Sequence, residues 1–223
     1  DVLDARGELD PGSPQTEAFV RDAIVKTTMH EVGHTLGLRH NFRASRLYSL
    51  AQLADPDFVK ANGIAASVMD YPPIHLAAPG APPVPAFGSV LGPYDHWAIE
   101  YAYKPLPPGS TATEEDAELQ RIAARSSEPA LGYATDEDAA FGVDPEAMTF
   151  DLGNDPIGYA SLRIDIARDL LQRQATRPLP ADADYTVLRR SVAYALRDLG
   201  VAGGVLARQH VQCAALQQGV DGL

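Results

Sequence analysis

The stretch that decides the reading of this chain is Thr27–Phe42, TTMHEVGHTLGLRHNF. Three of the six histidines, His30, His34 and His40, fall within it. Residues four apart lie on one face of a helix, so His30 and His34 present their imidazoles to a common point. Glu31 is turned about 100° away from His30, too far round to share a metal, but placed to hold a water on the metal's open side. Gly37 tolerates positive φ, which lets the backbone leave the helix and swing His40 back as a third ligand. Three protein ligands with one open position is the pattern of a catalytic zinc, whereas a structural zinc is closed by four. Zinc would bring the pKa of its water towards about 7, and Glu31 would take the proton and later deliver it to a leaving amine. Peptide hydrolysis is the reaction class this chemistry suits. The plain alternative, histidines packed on an amphipathic helix, accounts for one i, i+4 pair but not for all five residues of HExxHxxGxxH.

Working outward, Ser13-Pro14 reads as an N-cap followed by proline at the first helical position. Phe19, Ala23, Thr27, His30 and His34 then recur at helical spacing, with Val20, Ile24 and Glu31 on the adjoining stripe. The pattern predicts one helix over 14–36, closed by Gly37 as a left-handed cap. Before it, residues 1–13 read as a polar lead-in with a turn at Asp10-Pro11-Gly12. A second short helix is expected over 45–53, broken by Asp55-Pro56. Residues 72–108 hold ten of the eighteen prolines and read as an irregular connection. Within it, GPYDHWAIEYAY is an aromatic-rich island expected to form a short helix against the core. TATEEDAELQRIAARS reads as an amphipathic helix with an acidic first turn. Residues 134–155 look loop-like and acidic. Asp155-Pro156 starts a helix with Tyr159, Leu162, Ile166 and Leu170 on its stripe. Asp184 is expected to cap another, stopped by Gly200, before a last helix over 205–216. The chain as a whole reads as mostly α-helical.

Composition narrows the function classes. The formal net charge is −12, so nucleic acid is an implausible partner because little here would neutralise a run of phosphates. Apolar content of 45% and charged content of 22% are ordinary for a globular protein, and no apolar run approaches the roughly 18 residues of a membrane span. Cys213 is the only cysteine, which leaves no intramolecular disulfide and is most simply a buried small apolar residue.

HEVGHTLGLRH resembles the long zinc motif of the metzincin clan of metallopeptidases at every defining position. A second motif, SVMDYPP, follows, with Met69 in a tight turn made by Asp70-Tyr71-Pro72. By this resemblance Met69 is the methionine-turn residue, an apolar floor beneath the three imidazoles that does not bind the metal. Tyr71 matches the tyrosine that astacin-like and serralysin-like members place beside the zinc, where it donates to the developing oxyanion. HEVGHTLGLRHNF, SVMDYPP, YDHWAIEYAY and DLGNDPIGYASLR together, over about 20–205, resemble the Met-zincin domain of EcxA-like bacterial metallopeptidases. That resemblance implies a secreted, periplasmic or envelope-associated endopeptidase acting on peptide or protein substrates, with zinc as cofactor and the chain part of a longer polypeptide. It also implies an α+β metzincin-like core over 1–110 and a helical C-terminal subdomain over 111–223 packed on it. Metzincins place a twisted sheet before the zinc helix, whose edge strand pairs with substrate. Only about fifteen residues precede that helix here, so the sheet is expected to be missing or truncated.

Other residues carry weaker expectations. His75 reads as a solvent-facing loop histidine. Asp95 is a candidate partner for a zinc-ligand imidazole, since such ligands commonly donate their second ring nitrogen to a carboxylate. ATDEDAAFGVD does not match an EF-hand loop and reads as a solvated acidic loop. Two functions of different classes stand: a zinc endopeptidase with His30, His34 and His40 as ligands, Glu31 as base and Tyr71 assisting, or a non-catalytic zinc-binding interaction domain of a larger extracellular protein.

Overall fold

The 22-residue helix that carries the first two histidines forms as its sequence predicts. In the computed structural model, which describes residues 1–10, 12–141, 144–178 and 185–220 (side chains at 141 and beyond 209 excepted), α2 spans Pro14–Thr35. Ser13 accepts a hydrogen bond from the Thr16 amide, Pro14 occupies the first turn, and Gly37 adopts φ 83° just past the end. Ahead of it, the expected lead-in contains a one-turn helix, α1 (Val2–Ala5), because Val2 and Ala5 find apolar partners in the C-terminal helices.

After α2 the expected single helix is split. A 3-10 turn (Ala44–Arg46) is followed by α3 (Leu50–Leu53), which a Ser49–Gln52 capping box opens. Asp55-Pro56 does more than break a helix: Asp55 accepts from the Asp57 and Phe58 amides and starts α4 (Pro56–Asn62). Leu53, Val59, Ile64, Leu152 and Tyr159 bury together, so this small helical cap is stitched to residues far along the chain. The proline-rich connection contains α5 (Pro93–Tyr103), with Tyr94 packed among Ala44, Ala65 and Ala66 and Trp97 against that cluster. Next come α6 (Ala112–Ala123), capped by Thr111 and Glu114, and two 3-10 turns, Ala124–Ser127 and Pro129–Leu131. A short α7 (Asp136–Phe141) lies where the sequence suggested loop.

The chain closes on an antiparallel pair, α8 (Pro156–Thr176) and α9 (Thr186–Val220). Asp155 caps α8 as expected, accepting from the Gly158 amide. Ala167 and Ala195 are small enough to let the two helices approach around Leu170, and Ala202 and Val205 meet Ala160 and Met148 further along. Each fully buried Leu or Val here is worth roughly 1.5–3 kcal/mol. That packing explains why α9 runs through Gly200, Gly203 and Gly204 instead of stopping at Gly200. A helical glycine costs only about 1 kcal/mol, and a Cβ at any of these three would meet open space. The expected last helix over 205–216 is therefore the continuation of α9. The Asp184 cap and the environment of Cys213 lie outside the described residues and side chains.

No strand occurs among the described residues, and no helix there is long and apolar enough to cross a membrane. The outer face of α2 is unusually apolar for its exposure. Val20 is 50%, Ile24 61% and Val32 48% exposed, and of the helix's residues only His30 and Gly33 are buried.

Candidate metal centre

At the C-terminal end of α2, His30, His34 and His40 converge, each offering a ring nitrogen, all within 4.8 Å of one another. Their ring centroids are 4.7 Å (His30–His34), 4.8 Å (His34–His40) and 5.3 Å (His30–His40) apart. His30 and His34 owe their placement to helical spacing. The turn at Gly37, at positive φ, lets the chain leave the helix end towards His40.

The second nitrogen of each ring fixes its orientation. His30 Nδ1 donates to Val68 O (2.7 Å), His34 Nδ1 to Leu38 O (3.0 Å) and His40 Nδ1 to Asp136 Oδ1 (2.8 Å). Carbonyl and carboxylate oxygens only accept, so the proton sits on Nδ1 and the lone pair on Nε2. His30 Nε2 and His40 Nε2 are buried and have no hydrogen-bond partner among the described residues. Burial also pushes the His30 pKa down, against the opposing hydrogen bond to Val68, which favours the neutral imidazole. Two buried, unpartnered imidazole nitrogens converging beside a third ring would be costly in a packed protein, and imidazole nitrogens so placed are a donor set a zinc ion takes. The residues present fit that metal.

The turn beneath is built to receive α2. Its turn residues are Val68 and Met69, two positions earlier than the expected Asp70-Tyr71-Pro72, and the chain from Tyr71 to Ala78 has no regular structure. Met69 is fully buried, and its thioether occupies the space where a Cβ on Gly33 would stand. Its carbonyl accepts from the Asn41 amide (3.0 Å), so one turn meets both the helix and the segment carrying His40. Asp95 does not reach an imidazole. It holds the turn instead, accepting from Ser67 Oγ (2.6 Å), Val68 N (3.0 Å) and Gly92 N (2.8 Å), and Val68 in turn receives His30. On the far side, buried Asp70 accepts from Ser45 N (2.7 Å), and burial with Asp151 nearby pushes its carboxyl well above the usual range.

Tyr71 lies against the triad, its ring centroid 5.1 Å from His30 and 4.6 Å from His40. Burial, then the charges of Glu31 and Asp136, push its phenol above the ordinary tyrosine range, so it remains a donor at neutral pH. Glu31 is exposed on the solvent side of α2, next to His30. Beside the turn, Lys26, Asp70, Pro72, Phe87 and Val90 line a pocket of about 30 Å³, room for water rather than a substrate side chain.

Two expectations fail here. His75 is buried, at 6% exposure, because residues 75 and 85–86 fold together: its amide donates to Ala86 O (2.9 Å) and its Nδ1 to Pro85 O (3.1 Å). The acidic stretch after Ala134 is not simply solvated, since its Asp136 is the carboxylate that holds His40. Sequence reading passed over it because a run of acids resembles a charged surface, and only proximity to a histidine 96 positions earlier distinguishes it.

No curated protein and no solved structure matches the chain. A family model does: Met-zincin, over residues 12–208, a span that takes in the histidine triad, the turn under it, α8 and the first part of α9. With a zinc-compatible triad inside a match of that extent, the chain belongs to the Met-zincin family.

Proposed function

We propose that this chain is a zinc-dependent endopeptidase, with His30, His34 and His40 as metal ligands. The observation that carries the reading is the triad itself: three converging rings with Nδ1 tied, the Nε2 of His30 and of His40 buried and bare, and Glu31 one position from the first. Bound zinc would act as a Lewis acid that polarises the scissile carbonyl and lowers the pKa of water to about 7. Glu31 then serves as general base, taking the proton of the attacking water on its carboxylate, and returns it to the amine nitrogen as the peptide bond breaks. Tyr71 O–H donates to the oxygen that gains charge, a role its retained proton and its contact with two of the three rings support. Met69 supplies the apolar floor, and Gly33 leaves it the room.

The substrate is a peptide or protein, and the enzyme works outside the cytoplasm, secreted or at the envelope, as part of a longer polypeptide. The family match supports this setting, and the charge of −12 is in keeping with a non-nucleic-acid substrate. Residues 111–223 act as a helical subdomain packed on the core over 1–110, a packing supported by the reach of Asp136 to His40 and of Leu152 and Tyr159 to Leu53.

A second reading, a non-catalytic zinc-binding interaction domain, is favoured by the exposed apolar side chains on the outer face of α2. The two are separated by measuring zinc content by elemental mass spectrometry and chelator-sensitive peptide cleavage on the wild type and Glu31→Ala. The endopeptidase reading expects one zinc in both and activity lower by about 10²–10⁴-fold in the variant. Equal cleavage by the two proteins removes Glu31 from the mechanism, and zinc without cleavage in the wild type favours the interaction domain.

A further inference from the structure

The three imidazoles are oriented by unequal partners. His30 and His34 each donate to a backbone carbonyl, a neutral dipole. His40 alone donates to a full negative charge, Asp136 Oδ1 at 2.8 Å. His40 is also the one ligand outside α2, so nothing in helical geometry places it.

What places it is a strap of chain from Gly132 to Asp138, laid along residues 39–42. Phe42 N donates to Ala134 O (2.7 Å). Asn41, fully buried, donates through Nδ2 to Gly132 O (3.0 Å) and accepts from Ala134 N (3.2 Å). Arg39 reaches both oxygens of Glu137 (2.9 and 2.8 Å) and lies 3.6 Å from Asp136. Asp136 is in turn steadied by Thr135, whose Oγ1 donates to Oδ2 (3.3 Å), while the Thr135 amide donates to Asp138 (2.8 Å). The strap thus grips the segment on both sides of His40 and presents one carboxylate to the ring between them.

We infer that Asp136 is a positioning residue for the metal site: it holds His40 in the ligand orientation and strengthens Nε2 as a donor, so that zinc affinity depends on the strap. The inference rests on the zinc-site reading above. A carboxylate accepting from Nδ1–H increases electron density on the opposite nitrogen and resists rotation of the ring. Partners of this kind typically contribute 10–100-fold to metal affinity.

The test is a competition titration of zinc against a chromophoric chelator for the wild type, Asp136→Ala and Asp136→Asn, with melting of each zinc-free protein measured in parallel. Asp136→Ala is expected to bind zinc about 10–100-fold more weakly. Asp136→Asn keeps an acceptor but loses the charge, and is expected to fall between the two. The zinc-free proteins are expected to melt together, because the exposed Asp136 carboxylate is not part of the core. The cobalt-loaded wild type and Asp136→Asn are expected to differ in their visible absorption, which reports ligand geometry and which a merely structural role would leave unchanged. Zinc binding by Asp136→Ala as tight as the wild type's overturns this inference alone. An affinity loss matched by an equal loss of zinc-free stability in both variants also overturns it, in favour of a structural role. A wild-type chain that binds no zinc overturns the site reading and this inference with it.

Discussion

His30 and His34 on one side, and His40 on the other, show two ways of building one candidate metal site. The first pair stands on a 22-residue helix whose start, end and period are written locally, and each ring is locked by a backbone carbonyl, Leu38 O four positions on for His34 and Val68 O 38 positions on for His30. The third is delivered by a segment with no helical bonds of its own, and is held by Asn41, Arg39 and Asp136 through contacts spanning 91–98 positions of sequence. The difference teaches that a short motif can specify ligand identity while the geometry of its last member is supplied from a distant part of the chain. Met69 lies where the two meet, packed on Gly33 of the helix and accepting from the Asn41 amide.

Perturbing that meeting point is the most severe way to break the comparison, because it undermines both halves. Met69→Ala should cost about 2–5 kcal/mol of stability by denaturant unfolding, with zinc affinity falling as well. A loss below 1 kcal/mol would mean the thioether does not bridge the halves.

Asp151 probes the support behind the turn. Its carboxyl is pushed up to about 6 by burial, with Ser45 and Arg46 opposing. A folded-state pKa above the unfolded value means the native state binds more protons between about pH 4 and 6, so wild-type stability is lost as pH rises through that window. Asp151→Asn carries no such proton. It should match the wild type near pH 4 and exceed it by up to about 3 kcal/mol above pH 6. A pH-independent difference between the two would remove Asp151 as the titrating group.

Asn41→Ala sharpens the contrast, since it leaves the Gly132 carbonyl and the Ala134 amide without their partner. We expect a stability loss of about 1–3 kcal/mol and weaker zinc binding, with amide exchange in α2 unchanged. Faster exchange throughout α2 would show that the two halves are not separable. The smallest effect belongs to Gly37→Ala, which forces a side chain into positive φ for a cost of about 1 kcal/mol. Its readout is the same titration: weaker zinc binding with an intact helix is expected, and unaltered binding would show that the strap alone sets His40.

Much of the fold was legible because its signals are local. Ser13-Pro14, Thr111 with Glu114, and Asp155-Pro156 each start a helix where the sequence placed one. Burial was less legible. Val20 and Ile24 sit on the stripe next to the histidines, yet they face solvent because no other described element covers that side of α2. Gly200 looked like a stop because a glycine costs the helix locally, while the compensating contacts of Ala202 and Val205 come from α8 and Met148. His75 looked exposed because a proline-rich stretch gives no period from which to read a buried face.

The sequence by itself determined the three histidines that converge, their order and the helix that presents two of them, because side-chain chemistry and helical spacing act over a few residues. Only the tertiary structure decided which carboxylate would meet the third imidazole. Asp95, in the first turn of α5, was the candidate partner for a zinc-ligand imidazole, and it ties down the Val68 amide instead. Asp136 holds His40 because the strap folds back across residues 39–42. A hydrogen bond depends on distance in space, and a charge run in sequence carries no record of what the folded chain brings to it.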